Sequence, residues 1–355
     1  MEEQKDEKFT PEDAQAPKHI DPVEEVLGTE EESLDFKSRL DLGELSQNVQ
    51  KIRSEVGKVI VGQKDMIDML IASLLAGGHS LIEGVPGIAK TVTAKLLSKT
   101  LSVGFSRIQF TPDLMPSDIL GTSVFNLKTT EFEFKKGPIF SNMILIDEIN
   151  RAPAKTQAAL FEVMEEHQIT MDGIQYDLAP PFMVLATQNP VEQEGTYRLP
   201  EAQLDRFLFK ITVDYPNLDD EIEILKREHD LKDTSKTDTV ASFLTSEQIA
   251  KYQHLVSQVF IEAHLLRYIA QIIVATRNNQ YLYLGASPRA SIAILKASKA
   301  FAAMNGRDFV TPEDIKRAAI PVLHHRVIVT PEREMEGLTS DDIIKQIIEM
   351  TEIPR

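Results

Sequence analysis

Gly84-Val85-Pro86-Gly87-Ile88-Ala89-Lys90-Thr91 follows a short apolar run, Ser80-Leu81-Ile82-Glu83, and opens a segment with helical periodicity from Val92 to Leu101. An order of strand, glycine loop, Lys-Thr and helix suits a nucleotide's phosphate chain. Glycines let the loop turn tightly, so that successive backbone N–H groups point at the anion. The new helix adds the positive end of its dipole, Lys90 faces the β- and γ-phosphates, and the Thr91 hydroxyl is placed to ligate Mg²⁺. Gly84 through Thr91, with Val92 behind them, are therefore the expected phosphate-binding residues. Ala89 stands where the usual pattern has glycine directly before the lysine.

Working outward, short apolar strands alternate with helices. Ser106–Phe110, Met143–Ile146, Phe182–Ala186 and Phe209–Val213 are the candidate strands, and the uninterrupted Met143-Ile144-Leu145-Ile146 suits a parallel sheet buried on both faces. The βα alternation predicts a doubly wound α/β sheet with ligands at the C-terminal ends of its strands. Two stretches interrupt it, near 121–138 and 169–178, and both read as β-hairpins; the second carries Asp172-Gly173 at its turn. Upstream, Leu45, Val49, Ile52, Val56 and Val59 keep helical spacing, followed by a second apolar helix from Lys64 to Ala76. After Tyr215-Pro216-Asn217 the pattern becomes helical throughout, with Ser287-Pro288 and Thr311-Pro312 as helix starts. The expected organisation is an acidic arm over 1–42, an α/β core over 43–216, an all-helical lid over 217–330 and a tail over 331–355.

Composition narrows the function. The 355 residues contain no cysteine, which excludes disulfides, thiolate metal sites and thiol catalysis and fits a reducing cytoplasm. Residues 1–42 hold 14 acidic against 5 basic residues, a net −9 of the chain's −17. Such a stretch is expected to be a disordered, solvated tail, with a partner-binding arm as the alternative. A pI near 5.0 without clustered Lys/Arg argues against nucleic-acid binding. The longest charge-free apolar run, Met69 to Ile82, has 14 residues, short of the roughly 20 that a membrane span needs.

Further residues carry chemistry. Leu145-Ile146-Asp147-Glu148-Ile149-Asn150-Arg151 ends an apolar strand on two adjacent acids. Carboxylates at a buried strand end are costly unless they bind a metal or act on substrate. Beside a phosphate loop, Asp147 suits an inner or outer Mg²⁺ ligand and Glu148 the base that orients water. Asn189, in Ala186-Thr187-Gln188-Asn189-Pro190, is placed either to hold that water or a phosphate oxygen, or simply to form an Asn-Pro turn. Arg206, in Leu204-Asp205-Arg206-Phe207, precedes the last strand, where an exposed Asp-Arg pair would be the plain alternative. Arg289 sits in the first turn of a helix, where the macrodipole disfavours a cation, so a phosphate-sensing role explains it. His324-His325 shows no zinc-ligand spacing and reads as lid surface.

Together these segments resemble the MoxR family of AAA+ ATPases over about residues 45–330. Gly84–Thr91 is similar to the family's Walker A, in which alanine before the lysine is usual. Leu145–Ala152 is similar to its Walker B, Ala186–Pro190 to sensor 1, Leu199–Phe207 to the arginine-finger helix, and Ser287-Pro288-Arg289 to sensor 2. Val61-Gly62-Gln63 resembles the adenine-contacting segment, and the two hairpins resemble the inserts of the helix-2-insert branch. The resemblance implies Mg²⁺-dependent hydrolysis of ATP, bound between core and lid, in a homo-oligomeric ring that is usually a hexamer, with Arg206 supplied by the neighbouring subunit. It also implies chaperone-like work on proteins with von Willebrand factor A domains. A nucleotide-gated binding module with little turnover is the alternative, disfavoured by the presence of both Glu148 and Arg206; a DNA-directed motor is disfavoured by the acidic pI.

Overall fold

The computed structural model describes residues 40–190, 197, 199–230 and 239–354; nearly all of the acidic arm expected over 1–42 lies outside the described residues. Its centre is a five-stranded parallel sheet made of β1 (Ser80–Gly84), β2 (Phe105–Gln109), β3 (Met143–Asp147), β4 (Met183–Gln188) and β5 (Phe209–Val213), in the order β5-β1-β4-β3-β2. All four strands expected after the glycine loop are present. Because β1 lies between β5 and β4, and not beside β2, the strand order reverses at β1. That reversal opens a crevice above its C-terminal end.

Each interior strand is apolar on both sides for a visible reason. Met143 and Leu145 of β3, with Met183 and Leu185 of β4, join one core. Ile144 and Ile146, with Val184 and Ala186, join the other. Alternation with period two sends successive side chains to opposite faces, so only an unbroken apolar run can serve both. Full burial of one such side chain contributes about 1.5–3 kcal/mol.

The first core also holds α1 (Gly43–Gly57), through Leu45, Val49, Ile52 and Val56, together with α2 (Lys64–Leu75) and the C-terminal helices. Leu42, at the inner border of the expected arm, is already buried in it. The lid contains Leu218–Asp230, Ser246–Gln258, Ala263–Arg277, Pro288–Met304 and Pro312–Leu323. Ser287 and Thr311 are N-caps with proline following, as expected. Pro288–Met304 buries a stripe of alanines, Ala290, Ala293, Ala297 and Ala300, which lets Pro312–Leu323 approach closely.

Two expectations need correcting. The lid is not purely helical: Leu282–Leu284 pairs antiparallel with Ile328–Val329, and Leu244–Thr245 pairs with Leu101–Ser102 of the core. Nor are residues 331–354, within the expected tail, without packed structure. Thr339 caps a helix over Ser340–Met350 by a capping box with Asp342, and Ile343, Ile344, Ile347 and Ile348 are buried against Pro312–Leu323 and Ala263–Arg277.

Both hairpins form, Gly121–Asn126 with Glu131–Lys136 and Gln168–Met171 with Ile174–Asp177. Asp172 and Gly173 have φ of 52° and 78°, the two left-handed residues that a tight two-residue turn needs. The hairpins meet where Phe134 and Tyr176 pack with ring centroids 4.6 Å apart and the Ser123 hydroxyl donates to Asp172. Among the described residues no helix is long and apolar enough to cross a membrane.

Candidate active site

β1 ends on Gly84, where a Cβ would lie 2.5 Å from Ile88 Cδ1 and 2.7 Å from the Val213 carbonyl oxygen. Only glycine lets the chain turn there. Gly87 (φ 91°) and Ala89 (φ 64°) are both left-handed, and α3 (Lys90–Thr100) starts at once. The usual glycine before the lysine is thus a conformational requirement, which Ala89 meets at a cost of about 1–2 kcal/mol. Lys90 Nζ donates to the Gly84 carbonyl and, at 3.2 Å, to that of Gln188, so the ammonium lies across the mouth between β1 and β4.

Register brings the acids to this mouth. β3 ends with Asp147 opposite Gln109 of β2, and Ile146 opposite Ala186 of β4 sets Thr187 level with Asp147. Asp147 Oδ1 accepts from the hydroxyls of Thr91 at 3.0 Å and Thr187 at 3.2 Å, and Oδ2 from Arg107 Nε at 2.7 Å. Glu148 is itself left-handed, at φ 58°. Its N–H donates to the Thr187 hydroxyl at 3.1 Å, and its Oε2 lies 2.9 Å from both Gln109 Nε2 and Arg151 Nε. Asn189 is buried and lines the same cleft of about 330 Å³. Thr91 and Asp147 form an all-oxygen donor set close enough to share one small ion, which fits Mg²⁺, a cation commonly held by one or two carboxylates plus phosphate.

A second cavity of about 620 Å³ contains Val61 and Gly62, with Arg53, Asn217, Asp220 and Arg227. At Gly62 (φ 77°) a Cβ would lie 2.5 Å from Asp220 Oδ2, so the segment packs directly on the lid's first helix. Gln63 Nε2 donates to the Asp214 carbonyl at 3.3 Å, just beyond Val213, the partner of Gly84. Gln63 thus ties the segment that borders this second cavity to the C-terminal end of β5, beside the end of β1.

The two arginines lie elsewhere. Arg206 Nε and Nη2 donate to Glu165 Oε2 at 2.8 and 2.6 Å, and Arg289 Nη2 to Oε1 at 2.7 Å. Arg206's hydrogen bonds hold the Glu165 carboxyl below its usual pKa. The cavity that these three line also contains Gly78, His79 and Leu208, which precede β1 and β5, so it sits at the N-terminal edge of the sheet. Arg289, expected to sense phosphate, lies beside Arg206, and a five-residue strand, roughly 16 Å, separates that edge from the glycine loop of the same protomer.

His324-His325 is not lid surface either. His325 is buried with Nε2 3.1 Å from the Phe207 carbonyl oxygen, and burial drives its pKa well down. His324 Nδ1 lies 2.6 Å from Asp341 Oδ1.

The chain matches the model of the ATPase family associated with various cellular activities (AAA) over residues 79–209 and the AAA lid domain model over 274–347. It is 39% identical to Chaperone MoxR1 of Mycobacterium tuberculosis, over 85% of this chain and 81% of that one. The chain belongs to the MoxR family of AAA+ ATPases. An uncharacterized Bacillus subtilis protein, YeaC, is 44% identical over 86% of this chain and 94% of its own length. The crystal structure of a protein assigned as an ATPase from Cytophaga hutchinsonii superposes with a TM-score of 0.81 at 43% identity, covering 88% of this chain and 97% of that one. The lid match extends past 330, in agreement with the packed helix Ser340–Met350.

In this MoxR-family ATPase the candidate residues are joined by others that the sequence does not single out. Arg107 and Gln109 sit two residues apart on β2 and so share a face; Thr187 lies one strand away from Asp147, and Glu165 lies in the last turn of the helix Ala154–Glu166. The alternation of β2, with polar residues flanking buried Ile108, was the available signal for the first two. Nothing local marks Glu165.

Proposed function

We propose that this ATPase hydrolyses Mg²⁺-ATP at the interfaces of a homo-oligomeric cytoplasmic ring, a hexamer, and couples turnover to remodelling or maturation of partner proteins that carry von Willebrand factor A domains. The partner class and the ring size rest on the family resemblance, and the chaperone role on the name of the M. tuberculosis relative. The observation that carries the interface reading is the separation of the two halves of the chemistry within one protomer. Lys90, Thr91, Asp147 and Glu148 gather at one edge of the sheet, Arg206 and Arg289 at the other.

Each residue has a task in this reading. The loop N–H groups and Lys90 bind the β- and γ-phosphates, while Val61 and Gly62 border the base. Thr91 and Asp147 hold the Mg²⁺ ion, which supplies charge neutralisation on the phosphate oxygens when bound. Glu148 orients the attacking water and accepts its proton, and Asn189 fixes the water or a γ-oxygen. Arg206 and Arg289 of the adjacent subunit stabilise the charge that develops in the transition state.

The test pairs two variants. Lys90→Ala is expected to lose nucleotide affinity, because a phosphate-facing charge is gone. Glu148→Gln is expected to bind ATP normally yet turn it over at least about 100-fold more slowly, since the amide cannot take the proton. Parental turnover in both variants would refute the site.

A further inference from the structure

Two guanidinium groups brought to one point repel each other, and long exposed arginines otherwise sample many rotamers. Here they meet on opposite oxygens of one carboxylate, Arg206 on Oε2 and Arg289 on Oε1 of Glu165. The carboxylate cancels the repulsion and fixes both side chains. The backbone that carries it is tied down: Met164, the preceding residue, has its carbonyl oxygen 3.1 Å from Nε2 of buried His79, and His167 caps the helix Ala154–Glu166 in a left-handed conformation (φ 53°).

The backbones behind the arginines are tied as well. Asp205, next to Arg206, accepts from Arg326 Nε at 2.6 Å and from the Ser287 hydroxyl at 3.2 Å. Ser287 is the N-cap of the helix that carries Arg289. Core and lid thus hold the two arginines in one frame, and Glu165 aligns their tips. Arg206 engages Glu165 through one edge of its fork, and a guanidinium has five N–H donors, so the pair keeps donors for a further anion. Arg206 and Arg289 are 27% and 55% exposed, open to a neighbour.

We propose that Glu165 is a positioning residue, which holds Arg206 and Arg289 side by side as one two-guanidinium clamp for the phosphate chain bound in the adjacent subunit. This rests on the interface reading above. The clamp acts as a unit, so neither arginine is fully effective once the carboxylate between them is lost.

Steady-state ATP hydrolysis by the full chain tests this with Glu165→Gln, Glu165→Asp, Arg206→Ala and the Glu165→Gln/Arg206→Ala double variant. Misplacing a reacting group by about 1 Å can cost about 100-fold. Glu165→Gln is therefore expected to lower kcat about 10- to 100-fold, with KM for ATP within about two-fold of the parent. Glu165→Asp, which keeps the charge on a shorter arm, should fall between. The double variant should be no slower than Arg206→Ala alone, because both changes disable one unit. Melting temperature and oligomer size, measured alongside, separate this from general damage, which would make the double variant slower than either parent. Unchanged or raised kcat in Glu165→Gln, or multiplicative losses in the double variant, overturn the proposal. Parental turnover in Arg206→Ala would overturn the interface reading and the clamp with it. An inactive Arg206→Ala beside a fully active Glu165→Gln would overturn the clamp alone.

Discussion

The Glu148 backbone N–H donates to the Thr187 hydroxyl at 3.1 Å, while that hydroxyl donates onward to Asp147 Oδ1 at 3.2 Å. One threonine on β4 thus fixes both acids of β3, and it supports Glu148 in a left-handed conformation that only a few per cent of non-glycine residues adopt. Backbone strain of this kind persists where surrounding bonds hold it. Thr187→Val keeps the shape and removes the hydroxyl. It should cost about 1–3 kcal/mol in urea denaturation, through an unsatisfied N–H, and should slow hydrolysis more than ATP binding. Equal losses in kcat and affinity would mean that Thr187 merely supports the pocket wall.

Arg326 is the lid's main polar anchor on the core. Its side chain is 3% exposed. Besides Asp205 Oδ1, it donates to the backbone carbonyls of Asp205, Phe207, Leu208 and Val322. Burial pulls its pKa below the usual value, and the bond to Asp205 opposes that shift. Removing one partner of a buried ion pair leaves the other uncompensated, so Arg326→Met should cost about 3–5 kcal/mol. Arg326→Lys should recover only part, since one ammonium cannot match a planar fork. Equilibrium unfolding measures both.

His79 makes stability depend on acid. Its Nδ1 accepts from the Val184 N–H at 3.0 Å, so the ring is neutral with Nε2 donating to the Met164 carbonyl. Burial lowers its pKa from 6.5 to about 4. Between those values the unfolded chain takes up a proton that the folded one refuses. Stability is therefore full above pH 6.5 and falls as pH drops towards 4, by about 3 kcal/mol for this residue. His325, also shifted down by burial, acts in the same direction. Chemical denaturation from pH 7 to 4 should show the slope, and His79→Gln should reduce it.

The sheet was legible because each signal was local. An apolar run of four or five residues, a glycine loop and a carboxylate at a strand end are written in consecutive positions. So were the helix starts at Ser287 and Thr311. The helix over Ser340–Met350 is equally written, in the Thr339–Asp342 cap and four isoleucines at helical spacing, although the expected organisation leaves the segment as a tail. What no local pattern shows is the meeting of distant segments. Glu165 lies on the helix Ala154–Glu166, Arg206 in the turn before β5 and Arg289 on Pro288–Met304, and only the packing of the lid on the N-terminal edge of the sheet brings them together. The depth of His325 has the same origin, since its Nε2 meets the Phe207 backbone carbonyl of the core.

The central claim is that Arg206 works on a neighbour's nucleotide, and mixed rings test it most directly. Arg206→Ala should bind ATP with near-parental affinity but lose roughly 10³ to 10⁵ in rate. Lys90→Ala should be inactive for the opposite reason, an empty pocket beside an intact arginine. When the two are mixed and a labelled subunit proves exchange, some interfaces pair a good pocket with a good arginine. Hydrolysis should then return to a level that neither variant reaches alone. No recovery despite proven exchange would contradict the account and make Arg206 a residue of its own protomer's structure.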